Sequence, residues 1–202
     1  MRAPDRLVLA SANPKKVAEL RAILASSGVP TELLARPADV PEVVEDAPDF
    51  VGNARLKAVA LAAATGEAAL ADDSGLVVDA LGGAPGVRSA RYAGEHADDA
   101  ANVALLLREL ADRGVEDPEA RAARFRCVIV LRTPDGEELV TEGSVEGSIA
   151  PSPRGEGGFG YDPVFVPAEG DGRTFAEMSA EEKHAISHRG RALAELQRAL
   201  TG

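Results

Sequence analysis

Apolar residues appear first as a short run, Leu7-Val8-Leu9-Ala10, and then at wider spacing, at Val17, Leu20, Ile23 and Leu24. An unbroken run of this length reads as a buried strand. Recurrence every three or four residues reads as the inner face of a helix. Ser11-Ala12-Asn13 turns the chain between them, Pro14 suits the first helical position, and Gly28 stops the helix. A short strand is expected around Thr31–Ala35, then a Pro- and acid-rich loop over 36–49, then a second helix over Phe50–Thr65 ended by Gly66. Ala68–Ala71 and Leu76–Leu81 read as two short strands, with Asp72-Asp73-Ser74-Gly75 between them.

Downstream, Gly82–Gly86 reads as a loop, and Asp98 is placed to cap a helix carrying Val103, Leu106, Leu107 and Leu110. Arg124–Leu131 and Glu138–Ile149 read as long paired strands joined at Pro134-Asp135-Gly136. Residues 151–160 are rich in Pro and Gly, and Val164-Phe165-Val166 is a short strand. Ser179 and Glu182 have capping-box spacing and open a C-terminal helical region with an apolar stripe at Leu193, Leu196 and Leu200. Helices alternate with strands early and a hairpin sits in the middle. The expected class is therefore α/β with a mixed sheet flanked by helices. No repeat and no long linker divides the chain, so residues 1–202 are expected to form a single domain.

Composition narrows the functional classes. Acidic residues outnumber basic ones 33 to 22, a formal charge of -11, which argues against a general binder of nucleic acid or anionic membranes. A single cysteine, Cys127, excludes a disulfide framework and a Cys-rich zinc site, and it fits a reducing compartment. No apolar run approaches the ~18 residues of a membrane span. The five-residue apolar stretch near the start is too short for a signal peptide. A cytoplasmic protein is the expectation. With five Phe, two Tyr and no Trp, the core must be filled by Ala, Val and Leu.

Four segments carry candidate chemistry. Ser11-Ala12-Asn13-Pro14-Lys15-Lys16 lies at a strand-to-helix junction, where free N–H groups and a lysine suit a phosphate. An ordinary helix cap would use the same residue types. Asp72-Asp73-Ser74-Gly75 could hold a divalent cation or orient a water, or be a polar turn. Gly155–Gly160 contains a formal G-x-G-x-x-G, but an extended segment follows where a dinucleotide site requires a helix. It reads instead as a flexible loop presenting Phe159 and Tyr161, placed to stack on a base. In Glu182–Arg189, the residues Lys183, Ser187 and His188 share or adjoin one helical face, suited to phosphates or base edges or simply to solvent.

Taken in order, Ser11–Lys16, Phe50–Ala58, Ala71–Leu76, Gly82–Tyr92, Gly157–Pro163 and Ser187–Gly190 resemble the inosine/xanthosine triphosphate pyrophosphatase family over nearly the whole chain. The resemblance implies an elongated, two-lobed α/β fold with the active site in a cleft. It implies Mg²⁺-dependent cleavage between the α- and β-phosphates of non-standard purine nucleotides such as ITP, dITP and XTP. It also implies a homodimer.

By position, Ser11, Ala12, Asn13, Pro14, Lys15 and Lys16 would bind phosphates. Asp73 would be the catalytic carboxylate and a metal neighbour, with Ser74 beside it at the substrate. Phe159, Gly160, Tyr161 and Asp162 would hold the base, and Lys183, His188 and Arg189 would complete the nucleotide site. Where the family often carries Glu, this chain has Gly52. The second metal ligand belongs to the acidic loop, where Glu42 and Glu45 both offer themselves and Glu45 is favoured.

A base carrying a 6-keto oxygen asks for donors, which Arg189 and His188 could supply. Adenine would meet such donors with its own and be rejected. Two alternatives stay open. One is a related pyrophosphatase of the septum-inhibitor group acting on pyrimidine nucleotides. The other is a nucleotide-binding regulator without turnover.

Overall fold

The computed structural model describes residues 1–11, 13–26 and 31–201, the side chains of residues 25 and 26 excepted. Gly28, the expected helix stop, lies outside the described residues. In chain order the elements are β1 (Arg6–Leu9), α1 (Pro14–Ser26), β2 (Glu32–Leu34), α2 (Phe50–Thr65), β3 (Ala68–Val78), α3 (Asp99–Asp112), β4 (Ala122–Arg132), β5 (Glu138–Ile149), β6 (Phe165–Pro167), α4 (Ala180–Ile186) and α5 (His188–Thr201). They build one six-stranded sheet in the order β2-β1-β3-β4-β5-β6. β1 runs parallel to both β2 and β3, and β6 runs antiparallel to β5, so the sheet is mixed as expected.

Local chemistry sets many boundaries. Asp49 caps α2 by accepting the Gly52 N–H at 2.7 Å, and Gly66 ends it at φ 68°, a conformation that costs glycine least. Asp98 caps α3 through the Ala101 N–H at 2.8 Å. The β4–β5 connection closes with Thr133 donating its N–H to the Glu137 carbonyl at 3.0 Å. Two expectations are corrected. Asp72-Asp73-Ser74-Gly75 is no turn: β3 runs unbroken through it, from the three residues that pair with β1 (Ala68–Leu70) on to Val78, with β4 as its other neighbour. The C-terminal region is not one helix. Ser187 is extended (φ −72°, ψ 155°) and separates α4 from α5, so Lys183 and His188 sit on different helices.

The chain forms two compact units. The first comprises 1–73, 127–143 and 189–202; the second comprises 74–126 and 144–188. In the first, the pleat sorts side chains onto two faces. Leu7, Leu9, Ala68 and Leu70 pack with Leu20 of α1 and Leu193 and Leu196 of α5. Val8 and Ala69 pack with Leu61 and Ala62 of α2. The second unit has its own core, in which Phe125, Phe165 and Phe175 meet with ring centroids 4.7 to 6.0 Å apart. Among the described residues, no helix is long and apolar enough to cross a membrane.

Candidate active site

The alternation of β3 continues past its apolar half. Asp72 extends the face of Ala68 and Leu70, which α1 and α5 cover. Asp73 extends the face of Ala69, which α2 covers. Two adjacent carboxylates are thus sent to opposite sides of the sheet, both buried.

On the first side, Asp72 Oδ2 lies 3.5 Å from Lys16 Nζ and 3.4 Å from Arg189 Nη2. Nη1 of Arg189 reaches Glu19 of α1. One guanidinium therefore ties α1, α5 and β3 together. Burial opposes the charged form of Asp72. The Lys16, Arg189 and Lys57 charges outweigh it and hold this carboxyl well below the usual range. Arg189 was expected to offer its donors to a base; in this structure it directs them at Glu19 and Asp72.

On the second side, Asp73 Oδ1 accepts from Lys57 Nζ at 3.2 Å and Asp73 Oδ2 accepts from Asn53 Nδ2 at 3.2 Å. Lys57 also pairs with Glu45 Oε2 at 3.3 Å. Of the two candidate glutamates, Glu45 is joined to Asp73 in this way, whereas Glu42 is exposed. Burial raises the Asp73 carboxyl above its usual range. The Lys57 and Lys16 charges oppose that rise, and the Glu45 charge adds to it.

Glu45 and Asp73 converge on one cationic nitrogen, so two hard oxygen donors already face a common point. Among the described residues no group of three His, Cys, Asp or Glu side chains is placed to hold a metal. Mg²⁺ is commonly held by one or two carboxylates together with substrate phosphates. The pair fits that requirement.

The Ser11–Lys16 segment turns from β1 into α1. Ala12 lies outside the described residues. Asn13 is the cap: its Oδ1 accepts the N–H groups of Lys15 at 3.0 Å and Lys16 at 3.3 Å, while Ser11 Oγ accepts the Asn13 N–H at 3.3 Å. Asn13, Pro14 and Lys15 are exposed. Lys16 turns inward, to Asp72.

A second set lies in the other unit. Asp162 is buried, and its Oδ2 accepts from Lys183 Nζ at 2.7 Å and from the Phe159 N–H at 2.8 Å. Gly158 (φ 70°) lets this happen, since a Cβ there would stand 2.0 Å from the same oxygen. Lys183 Nζ also lies 4.8 Å from the Phe159 ring centroid, within cation–π range. Gly160 donates its N–H to Asp99 at 2.8 Å. Phe159 is half-buried. Tyr161 is not presented by the loop as expected: it is buried in the core, and its hydroxyl donates to the Ser89 carbonyl at 2.9 Å. His188 stacks on Phe125, with centroids 4.7 Å apart and planes 9° from parallel. Ser74 is half-buried and follows Asp73 directly in β3.

The sequence assigns no role to Lys57, Asn53 or Glu19, and marks Asp72 only together with Asp73. Lys57 and Asn53 carried one signal, their spacing of four on a helix, which puts them on one side of α2. Glu19 carried none.

Mixed α/β topology and a buried cluster of carboxylates and lysines at β3 define the class of this chain. The chain belongs to the Ham1 family, whose model matches residues 7–199. It is 54% identical over 193 residues to a dITP/XTP pyrophosphatase of Streptomyces coelicolor, covering 95% of this chain and 94% of that protein. A HAM1 protein structure from Coxiella burnetii aligns with TM-score 0.87 at 43% identity, over 97% of this chain and 98% of that one. The structure of a nucleoside-triphosphatase / dITP/XTP pyrophosphatase from Mycobacterium abscessus aligns with TM-score 0.75 at 54% identity, over 95% and 97%.

Proposed function

We propose that this protein hydrolyses non-standard purine nucleoside triphosphates, ITP, dITP and XTP, to the nucleoside monophosphate and pyrophosphate. The observation that carries the reading is the convergence of Asp73 and Glu45 on Lys57, beside an Asp72 that holds Lys16 of the phosphate-loop segment. The names of the relatives at 50–54% identity support the substrate class.

Asp73 and Glu45 would hold Mg²⁺. Bound there, the ion supplies charge neutralisation for phosphate oxygens. Lys16 and Lys57 add positive charge for the triphosphate and the leaving pyrophosphate. Asp73 would also be placed to accept the proton of the attacking water, a role that competes with holding the ion because a carboxylate bound to Mg²⁺ is a poor base. Lys183 donates to Asp162. Lys183 and Phe159 lie together beside Asp162 and would hold the base, with Phe159 as the stacking surface. A homodimer and a cytoplasmic setting belong to the same reading. The resemblance supports the first, and the single, buried Cys127 supports the second.

The test is a product assay across ITP, dITP, XTP, ATP, GTP, dTTP and UTP. ITP, dITP and XTP should be turned over far faster than ATP or GTP, with pyrophosphate released and Mg²⁺ required. Comparable kcat/KM for ATP and ITP, or release of orthophosphate, overturns the reading.

A further inference from the structure

Asn53 is completely buried near the start of α2, and both ends of its amide are used. Nδ2 donates to Asp73 Oδ2 at 3.2 Å. Oδ1 accepts the Ala47 N–H at 3.0 Å. Ala47 belongs to the acidic loop, two residues beyond Glu45. The amide donates to a carboxylate and accepts from a peptide N–H at once; an aspartate would oppose Asp73, and an alanine would leave both partners unserved.

The neighbouring residue makes the same approach possible. A Cβ at Gly52 would stand 2.5 Å from Ala47 Cβ and 3.1 Å from Asp49 Oδ1. Glycine at 52 therefore lets the loop lie directly on the first turn of α2, where Asp49 also fastens it by capping Gly52. One side chain thereby sets both the carboxylate on β3 and the loop that brings Glu45 to it.

We propose that Asn53 is a positioning residue that fixes Glu45 and Asp73 relative to one another for a divalent cation, with Gly52 as the clearance that admits the loop. The proposal rests on the reading of Glu45 and Asp73 as the metal pair. Residues that orient metal-binding groups in this way typically matter by roughly 10–100-fold in metal affinity or activity.

The experiment compares wild type, Asn53→Ala and Gly52→Ala by three measurements: calorimetric titration with Mg²⁺ alone, amide exchange at Ala47, and ITP turnover against Mg²⁺ concentration. Both variants should bind Mg²⁺ at least about tenfold more weakly. Asn53→Ala should also lose exchange protection at Ala47. Saturating Mg²⁺ should restore most of kcat to Gly52→Ala, where only the loop is displaced. It should not restore kcat to Asn53→Ala, where Asp73 has lost its donor.

A folded Asn53→Ala with wild-type Mg²⁺ affinity and kcat overturns the proposal. If that variant fails to fold, Gly52→Ala decides, and an unchanged Mg²⁺ affinity there overturns it as well. A wild-type protein whose ITP turnover does not depend on Mg²⁺ overturns the metal reading itself, which separates the two failures.

Discussion

Asp72 and Asp73 follow one another in β3, and the pleat gives them different neighbours. Asp72 lies between α1 and α5, faced by Lys16 and Arg189, with its carboxyl held low. Asp73 faces α2, where Lys57 and Asn53 reach it, and its carboxyl is raised. Two carboxylates whose surroundings move them in opposite directions have different tasks. Asp72 is an anchor: its charge is compensated, and it holds Lys16 at the start of α1 and the arginine that joins two helices. Asp73 is the carboxylate we propose for the chemistry, reached by Lys57 and Asn53 and raised by burial.

The same substitution at the two positions breaks the comparison if it is wrong. Asp72→Asn removes the negative partner from Lys16 and one of the two partners, the other being Glu19, from the almost wholly buried Arg189. Breaking a buried pair on one side costs about 3–5 kcal/mol. For a chain of this length that is a fall of roughly 6–20 °C in Tm. Thermal unfolding checks it; a Tm within a degree or two of wild type would mean that Asp72 anchors nothing.

Asp73→Asn should do the reverse. The expected loss is in kcat, at least ~100-fold, the lower end for a missing general base. Tm should move little, because Lys57 keeps Glu45 as a partner. Steady-state ITP hydrolysis at saturating Mg²⁺, with thermal unfolding alongside, separates the two outcomes. Near-normal kcat, or a Tm loss equal to that of Asp72→Asn, would erase the distinction between the residues.

The sorting was only half legible in the sequence. Elements with strong local punctuation were readable: Phe50–Thr65 has a cap and an αL glycine, Asp98 caps α3, and Pro134-Asp135-Gly136 turns the hairpin. Asp72-Asp73-Ser74-Gly75 has equally strong turn chemistry, but the strand begun at Ala68 carries on through it beside β4. Once the segment is a turn, nothing orders its carboxylates; once it is a strand, period two assigns each a face. Tyr161 was misread for a related reason. An aromatic in a glycine-rich segment looks presented, yet its hydroxyl partner is the Ser89 carbonyl, 72 residues away in sequence. Arg189 likewise finds Glu19 at a separation of 170, which no local pattern announces.

Phe159 lies outside the carboxylate pair and supplies a control for the comparison. Phe159→Ala removes a stacking surface that every purine shares. It should lower kcat/KM for ITP, XTP and residual ATP turnover by similar factors, corresponding to roughly 1–3 kcal/mol. Tm should stay near the wild-type value, because the ring is half-buried. A loss confined to ITP and XTP would make Phe159 a reader of the 6-keto group instead.

Cys127 gives the finest probe, because it lies on β4 in the core beneath the Asp72 face. Burial, with the Asp72 charge adding to it, pushes this thiol up to about 12. A raised folded-state value favours the protonated form. Its contribution to stability is therefore present below the ordinary thiol value near 9 and is lost as pH rises through about 12. At pH 8 the native thiol should be inert to a disulfide reagent such as DTNB, and labelling should proceed through opening of the chain. As the only cysteine, it reports one event. When opening is fast relative to labelling, the rate tracks the open population. Asp72→Asn should then label faster by the factor its stability loss dictates, on the order of 100-fold or more for 3–5 kcal/mol. Asp73→Asn should label at close to the wild-type rate. Rapid labelling of the wild type would contradict the burial of Cys127. Equal acceleration in both variants would show that the two faces of β3 are not independent.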